Sequence, residues 1–234
     1  MLELSKRMQM NAALVPNQCS LADIGCDHAY VSITLAKENR CKKIIALDIN
    51  RGPLAIAERN ICRFQVENVV SCRLSNGMEK LVPGEVDTVL IAGMGGMLIC
   101  RILRDKPDVL AQVHTLILQP QSDWEEVRKT LWQLGFCIEE ECFCFDAGKY
   151  YLSIRAVRGE EESVYSEEEC TYGRILPKKK DERYFEWLLH EKEKAQTILY
   201  KLDGHDSDSA HQQKCHMTKK INQIQTLIAK YYGG

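Results

Sequence analysis

The chain has 234 residues, 45% of them hydrophobic and 27% charged, with a formal net charge of −2. This composition belongs to a folded globular chain and excludes fibrous and disordered classes. A charge near zero removes any global basic signal for nucleic acid, so contact with RNA would have to come from local patches.

No apolar run approaches the roughly 20 residues that span a bilayer. The opening MLELSKRMQMNAAL is amphipathic with internal charges, unlike a secretion signal. Eleven cysteines form an odd set without a Cys-x-x-Cys pair. Cys142 and Cys144 stand closest, on one face of an expected strand, while Cys62, Cys72 and Cys100 sit in apolar runs, where a thiol packs as a small hydrophobe. The pattern points away from zinc and disulfides and toward a reducing, cytoplasmic compartment.

Along the chain, strand-like and helix-like segments alternate through residue 157, the pattern of an α/β sheet. Segment 3–15 is helical in spacing, with Leu4, Met8, Leu14 and Val15 apolar. Strand 20–24 ends in the loop Gly25-Cys26-Asp27-His28, and a helix follows over 29–39. Strand 43–48, a turn at Asn50–Pro53, a helix to about 65, strand 69–74 and the turn Asn76-Gly77 come next. Strand 86–91 leads into Gly93-Met94-Gly95-Gly96 and a helix to 104, then strand 115–119 and helix 122–134. Two last strands, 137–144 and 150–157, flank the turn Asp146–Gly148 and must pair antiparallel. The expectation is a seven-stranded, mainly parallel, Rossmann-like sheet ending in an antiparallel hairpin.

Residues 158–183 change character, with acidic runs at Glu160–Glu162 and Glu167–Glu169 before Arg174 and Lys178-Lys179-Lys180. Helix 184–203 carries Phe185, Leu188, Leu189, Ile198, Leu199 and Leu202; after the turn Gly204–Ser209, helix 210–232 carries Met217, Ile221, Ile224, Leu227, Ile228 and Tyr231. Joined by a short turn, they are expected to pack as an antiparallel, coiled-coil-like hairpin. The expected division is a sheet domain over 1–157 and a linker with helical hairpin over 158–234.

In a doubly wound sheet, ligands bind outside the carboxyl ends of the strands. The first such loop supplies Asp23, Gly25 and Asp27. A dinucleotide fingerprint needs a second glycine where Asp27 stands, and a carboxylate there repels a pyrophosphate. A cofactor with a cationic amino-acid portion suits it better, which favours S-adenosylmethionine over NAD. Asp27 as a plain helix cap is the competing account. Asp48 ends the second strand, where an acid can accept both ribose hydroxyls. Asn76-Gly77 is either a turn or a contact to adenine, and Gly93–Gly96 is either a tight turn or a backbone approach to a ligand. Gln119-Pro120-Gln121 offers amides that can read a base edge, and the Asn-Pro-Pro-Tyr common in amino-group methylating enzymes is missing.

Together DIGCDHAY (23–30), NRGP (50–53), IAGMGG (91–96) and LILQP (116–120), with LSKRM (4–8) and the C-terminal hairpin, resemble the bacterial TrmK family. These are S-adenosylmethionine-dependent tRNA (adenine-22, N1) methyltransferases. The resemblance implies a class I methyltransferase fold with an appended hairpin. It implies that Asp23, Gly25, Asp27 and His28 line the methionine and sugar side of the cofactor, Asp48 and Ile49 hold the ribose, and Asn76 and Gly77 the adenine. Gly93, Met94 and Gly95 complete the cofactor set. The family usually has Glu in place of Asp48 and often Asp in place of Asn76.

Adenine N1 has a lone pair once the base leaves its stack, so no proton must be removed before attack. Tyr30, Gln119 and Pro120, with the Gly93–Gly96 backbone, are the expected clamp, and Asp27 or His28 the groups that meet the transferred charge. The alternative for Tyr30 is core packing. Lys6, Arg7, Arg174, Lys178, Lys179, Lys180 and Arg183 are the basic candidates for tRNA phosphates, or else a solvated face. A methyltransferase for another acceptor, or a non-catalytic RNA-binding protein, stays open. No metal and no membrane partner are expected.

Overall fold

The computed structural model describes residues 3–160, 163–204 and 207–233. It divides into two compact units, Met1–Tyr165 and Ser166–Gly234. The first unit therefore runs past the boundary expected after residue 157.

The first unit has the order α1 (Lys6–Leu14), β1 (Cys19–Ile24), α2 (Tyr30–Lys37), β2 (Cys41–Asp48), α3 (Arg51–Arg63), β3 (Val70–Leu74), β4 (Thr88–Met94), α4 (Gly96–Asp105), α5 (Pro107–Leu110), β5 (Thr115–Pro120), α6 (Trp124–Gln133), β6 (Phe136–Asp146) and β7 (Lys149–Arg158). The sheet order is β3-β2-β1-β4-β5-β7-β6. All pairs are parallel except those of β7, which lies antiparallel between β5 and β6. The chain moves outward from β1 to β3 and returns to the other side of β1 with β4. That reversal opens a crevice at the carboxyl ends of β1 and β4.

Central strands covered on both faces read as continuous apolar runs. Leu21, Ala22, Ile44, Ile45, Leu47, Val89 and Ile91 are accordingly almost fully buried. The pattern relaxes to alternation in β6, at the sheet's edge. Arg128 on α6 and Glu141 on β6 form a buried ion pair at 2.8 Å. Cys19 and Cys41, in register on β1 and β2, bring their sulfurs to 3.5 Å, and all eleven cysteines are free thiols.

Several boundaries differ from the sequence expectation. The first helix begins at Lys6, capped by the Ser5 hydroxyl, rather than at residue 3. β4 runs on through Gly93 and Met94, which are thus strand residues rather than a loop beyond it. The four-residue α5 is too short to leave a periodic signature.

The second unit contains α7 (Glu167–Tyr172), α8 (Leu176–Lys179), α9 (Glu182–Lys201) and α10 (Asp208–Tyr232). Two short helices stand in place of the expected linker. The acidic run Glu167–Glu169 is the first turn of α7, where carboxylates suit the helix dipole, and Ser166 with Glu169 forms a capping box. Glu161, Glu162 and the turn residues His205 and Asp206 lie outside the described residues. α9 and α10 pair through Leu188, Ala195, Ile221, Ile224 and Leu227, with Phe185 stacked on Tyr232 at 4.7 Å. Among the described residues no helix is long and apolar enough to cross a membrane.

Candidate active site

The loop after β1 is shaped by its backbone. Gly25 has φ +74°, and a Cβ there would stand 2.3 Å from the Met94 Cε atom. The left-handed φ is what favours glycine here, since the Met94 methyl is the end of a flexible side chain that can move. Asp27 and Ala29 also adopt left-handed conformations, φ 51° and 59°, uncommon for residues with side chains and concentrated at functional sites. The Gly25 and Cys26 N–H groups donate to the Leu47 carbonyl at 2.8 and 3.0 Å, which folds the loop over β2.

Two cavities meet at this loop. One, of about 300 Å³, is lined by Ile24, Asp48, Ile49, Ser75, Asn76, Gly77, Met94, Leu98 and Arg101 among others. Asp48 holds the Asn50 N–H at 2.8 Å through Oδ1, and the Asp27 N–H at 3.4 Å through Oδ2. Ile49 is 62% exposed and Leu98 37%, so two apolar side chains flank an acid and an amide. That combination suits a flat heterocycle carrying a diol. Asn76 turns its side-chain nitrogen to Glu79 at 2.8 Å, and Asn76 and Gly77 both line this cavity.

The other cavity, of about 280 Å³, is lined by Arg7, Asn11, Asp23, Cys26, Asp27 and Gln121 among others. Gly25, Ala92 and Gly93 belong to both. Burial pushes the Asp23 carboxyl up to about 6, against the Ser32 hydroxyl that donates to it at 2.6 Å; the charge of Asp48 adds to the rise. Burial, and then the surrounding acids, also push the Cys26 thiol up, so it stays protonated and unreactive.

Asp23, Gly25, Asp27, Asp48, Ile49, Asn76, Gly77, Gly93 and Met94 are thus gathered around the two cavities. His28, Tyr30, Gln119, Pro120 and Gly95 are not among their lining residues. His28 lies 3.5 Å from Asp27, and Tyr30 packs half-buried on the core with its ring edge-on to His28. Gly95 caps α4, and Gly96 meets the loop after β5: a Cβ on it would lie 2.4 Å from the Ser122 carbonyl oxygen.

Gln119 is fully buried, and its Oε1 accepts from Arg7 Nη1 and the Gly93 N–H, each at 3.1 Å. Its oxygen is thus engaged with the protein, while its Nε2 has no partner among the described residues. Arg7 also lies over the Tyr151 ring at 5.4 Å and lines the second cavity. It is therefore built into the site, where sequence patterning suggests a surface cation. Asn11 joins the site without having drawn notice as a motif residue. The available signal is its position one helical turn after Arg7, which puts both on one face of α1.

Among the described residues no group of three metal-ligating side chains comes together. Asn11, whose Nδ2 is buried without a partner among the described residues, the glycine cradle and the acid at the end of β2 fit a nucleoside-linked amino acid.

Sheet order, crevice and comparison agree on a class: residues 4–154 match the family model for a methyltransferase domain, and the fold is the Rossmann-like form of that class. The tRNA (adenine(22)-N(1))-methyltransferase of Bacillus subtilis is 30% identical over 217 residues, 91% of each chain. The present chain belongs to that family. A Streptococcus pneumoniae protein solved in complex with S-adenosyl-L-methionine superposes with a TM-score of 0.87 at 30% identity, covering 97% of this chain and 100% of that one. M. capricolum TrmK, solved with S-adenosyl-homocysteine, gives 0.86 at 27% identity over 97% and 99%.

Proposed function

We propose that this chain transfers a methyl group from S-adenosylmethionine to N1 of the adenosine at position 22 of tRNA. The observation that carries the assignment is the end-to-end match to the Bacillus subtilis enzyme, which includes the second unit as well as the sheet. Bound S-adenosylmethionine supplies a sulfonium methyl that a neutral nitrogen can accept directly.

The chain's own work is positioning. Asp48 holds the ribose diol, with Ile49 and Leu98 against the adenine and the Asn76-Gly77 backbone at its edge. Asp23 and Asp27 stand where the methionine end lies. The target adenine has to be unstacked to present N1, and no base is needed because that lone pair is already free. Asp27, which lines the site, is the group assigned to meet the cationic product; His28 beside it, Tyr30 on the core and Pro120 are outside the lining and take no assigned contact. Lys6, exposed on α1, and Lys178, Lys179 and Lys180, exposed around the end of α8, offer phosphate contacts. Arg174 and Arg183 are paired with Glu169 and Glu186 at 2.9 and 2.8 Å and contribute less. Eleven free thiols fit a cytoplasmic site of action, where tRNA is found.

The test is transfer of a labelled methyl to unmodified bacterial tRNA, with the product nucleoside identified and its position mapped. N1-methyladenosine at position 22 is the expected result. Cofactor binding without transfer to any tRNA would overturn the assignment.

A further inference from the structure

Four aromatic rings form a row along one face of the β6–β7 hairpin and the start of α6. Phe145 and Tyr150 stand opposite each other in the strand register, with ring centroids 4.8 Å apart. Tyr150 stacks on Phe143 at 5.8 Å and 23°, and Trp124 meets Phe143 edge-on at 5.9 Å. Phe143 is buried, Tyr150 and Trp124 are half-buried, and Phe145 is 42% exposed. Core packing accounts for Phe143 but not for the ring nearest the tip.

One end of the row is tied to the site. Met94 lines the larger cavity and pairs with Pro120, whose carbonyl accepts the Trp124 indole N–H at 3.0 Å. The other end reaches the turn Asp146–Gly148. Its surroundings suit a polyanion: Lys149 is exposed at the turn and Lys6 is exposed on α1. The acids nearby are already engaged. Asp146 accepts the Arg7 N–H at 3.1 Å, and Glu125, which follows Trp124, pairs with Lys129 at 2.5 Å.

An adenine drawn out of its stack leaves the neighbouring base without a stacking partner. An aromatic side chain can replace that partner, and it does so for any base. We propose that Phe145 and Tyr150 form a platform for the nucleobase next to the target adenosine, the one that stays outside when the target enters. The platform positions the acceptor and offsets its unstacking, and it takes no part in the methyl transfer. This rests on the tRNA reading above.

The experiment uses the full chain with unmodified bacterial tRNA, and with the same tRNA carrying 2-aminopurine immediately before or after position 22. Phe145→Ala should weaken tRNA binding about 5- to 150-fold, the range of one stacked base. Phe145→Trp, which keeps a stacking plane, should stay within about twofold of the parent. At one of the two positions 2-aminopurine should remain quenched on the parent and brighten on Phe145→Ala. An unchanged melt and an unchanged affinity for S-adenosyl-homocysteine show that the variant is folded; if it is not, Phe145→Leu takes its place with the same expectations. Equal tRNA affinity, or equal fluorescence at both positions, in parent and variant would overturn the platform. So would a parent dimer that the variant dissociates in sedimentation, because the ring then meets a second copy of the chain. A parent that neither binds nor methylates tRNA would overturn the tRNA reading itself, and the platform with it.

Discussion

The Arg7 guanidinium and the Gln119 side-chain oxygen meet at 3.1 Å, and that oxygen also accepts the Gly93 N–H. One buried amide thereby ties the N-terminal helix, the end of β4 and the end of β5 together. Gln119→Ala would leave the Gly93 N–H and one Arg7 N–H without an acceptor. The expected cost is about 1–3 kcal/mol of stability, read by denaturant unfolding.

Asp23 makes the first unit's stability depend on pH in a direction unusual for a carboxylate. Its pKa rises from 3.8 to about 6 on folding, so between those values the folded state binds more protons than the unfolded one. Stability from this group is therefore full below about pH 4 and is lost as pH rises through 6. A shift of that size corresponds to about 3 kcal/mol. Without cofactor, Asp23→Asn should melt higher than the parent at pH 7.5, and the gap should close toward pH 4. A constant gap across that range would contradict the assignment.

Gly25→Ala meets two obstacles, a left-handed φ and the Met94 methyl at 2.3 Å. A residue with a Cβ forced into this conformation loses at least about 1 kcal/mol. The double variant Gly25→Ala/Met94→Ala removes the collision and keeps the backbone strain. Thermal melts should show partial recovery in the double variant, and cofactor titration should show the single variant to be the weaker binder.

The Arg128–Glu141 pair is 1% exposed at both side chains. Removing one partner strands a buried charge, so Arg128→Met should cost about 3–5 kcal/mol, and replacing both partners by apolar residues should cost much less. Chemical unfolding of the single and double variants checks this, with cofactor affinity per folded molecule unchanged.

Lys178, Lys179 and Lys180 are exposed on the second unit. If they meet tRNA phosphates, the triple alanine variant should bind tRNA more weakly and with a shallower salt dependence, by about 0.7–0.9 in log–log slope for each phosphate no longer neutralised. An unchanged slope in a filter-binding series would make this run a solvated face.

The strands are legible in the sequence because runs such as KIIALD and VDTVLI sit between turn-forming residues, and the antiparallel hairpin because Asp146–Gly148 leaves no room for a crossover. The acids and glycines of the site are legible because they fall at strand ends or in the loops that follow them. α7 and α8 are hidden: six and four residues cannot show a period, and the acidic run that begins α7 looks like a solvated charge block. Arg7 and Asn11 are hidden for another reason. A short amphipathic helix shows a polar face in its sequence, and nothing local tells that this face is buried against residues far along the chain. Gln119, Tyr151 and Ser153 are what make it an interior face.

The bond from Ser153 to Asn11 spans 142 residues, and that from the Arg7 N–H to Asp146 spans 139. α1 precedes every strand of the sheet in the chain, yet its Asn11 is held from β7, the last strand. A nascent chain halted before β7 already has Gln119, Arg40 and Asp146 to hold α1, but lacks the Ser153 hydroxyl that fixes Asn11. Contacts of such long sequence separation form late and slowly. The N-terminal helix therefore reaches its full set of bonds only when the final hairpin has docked on the sheet.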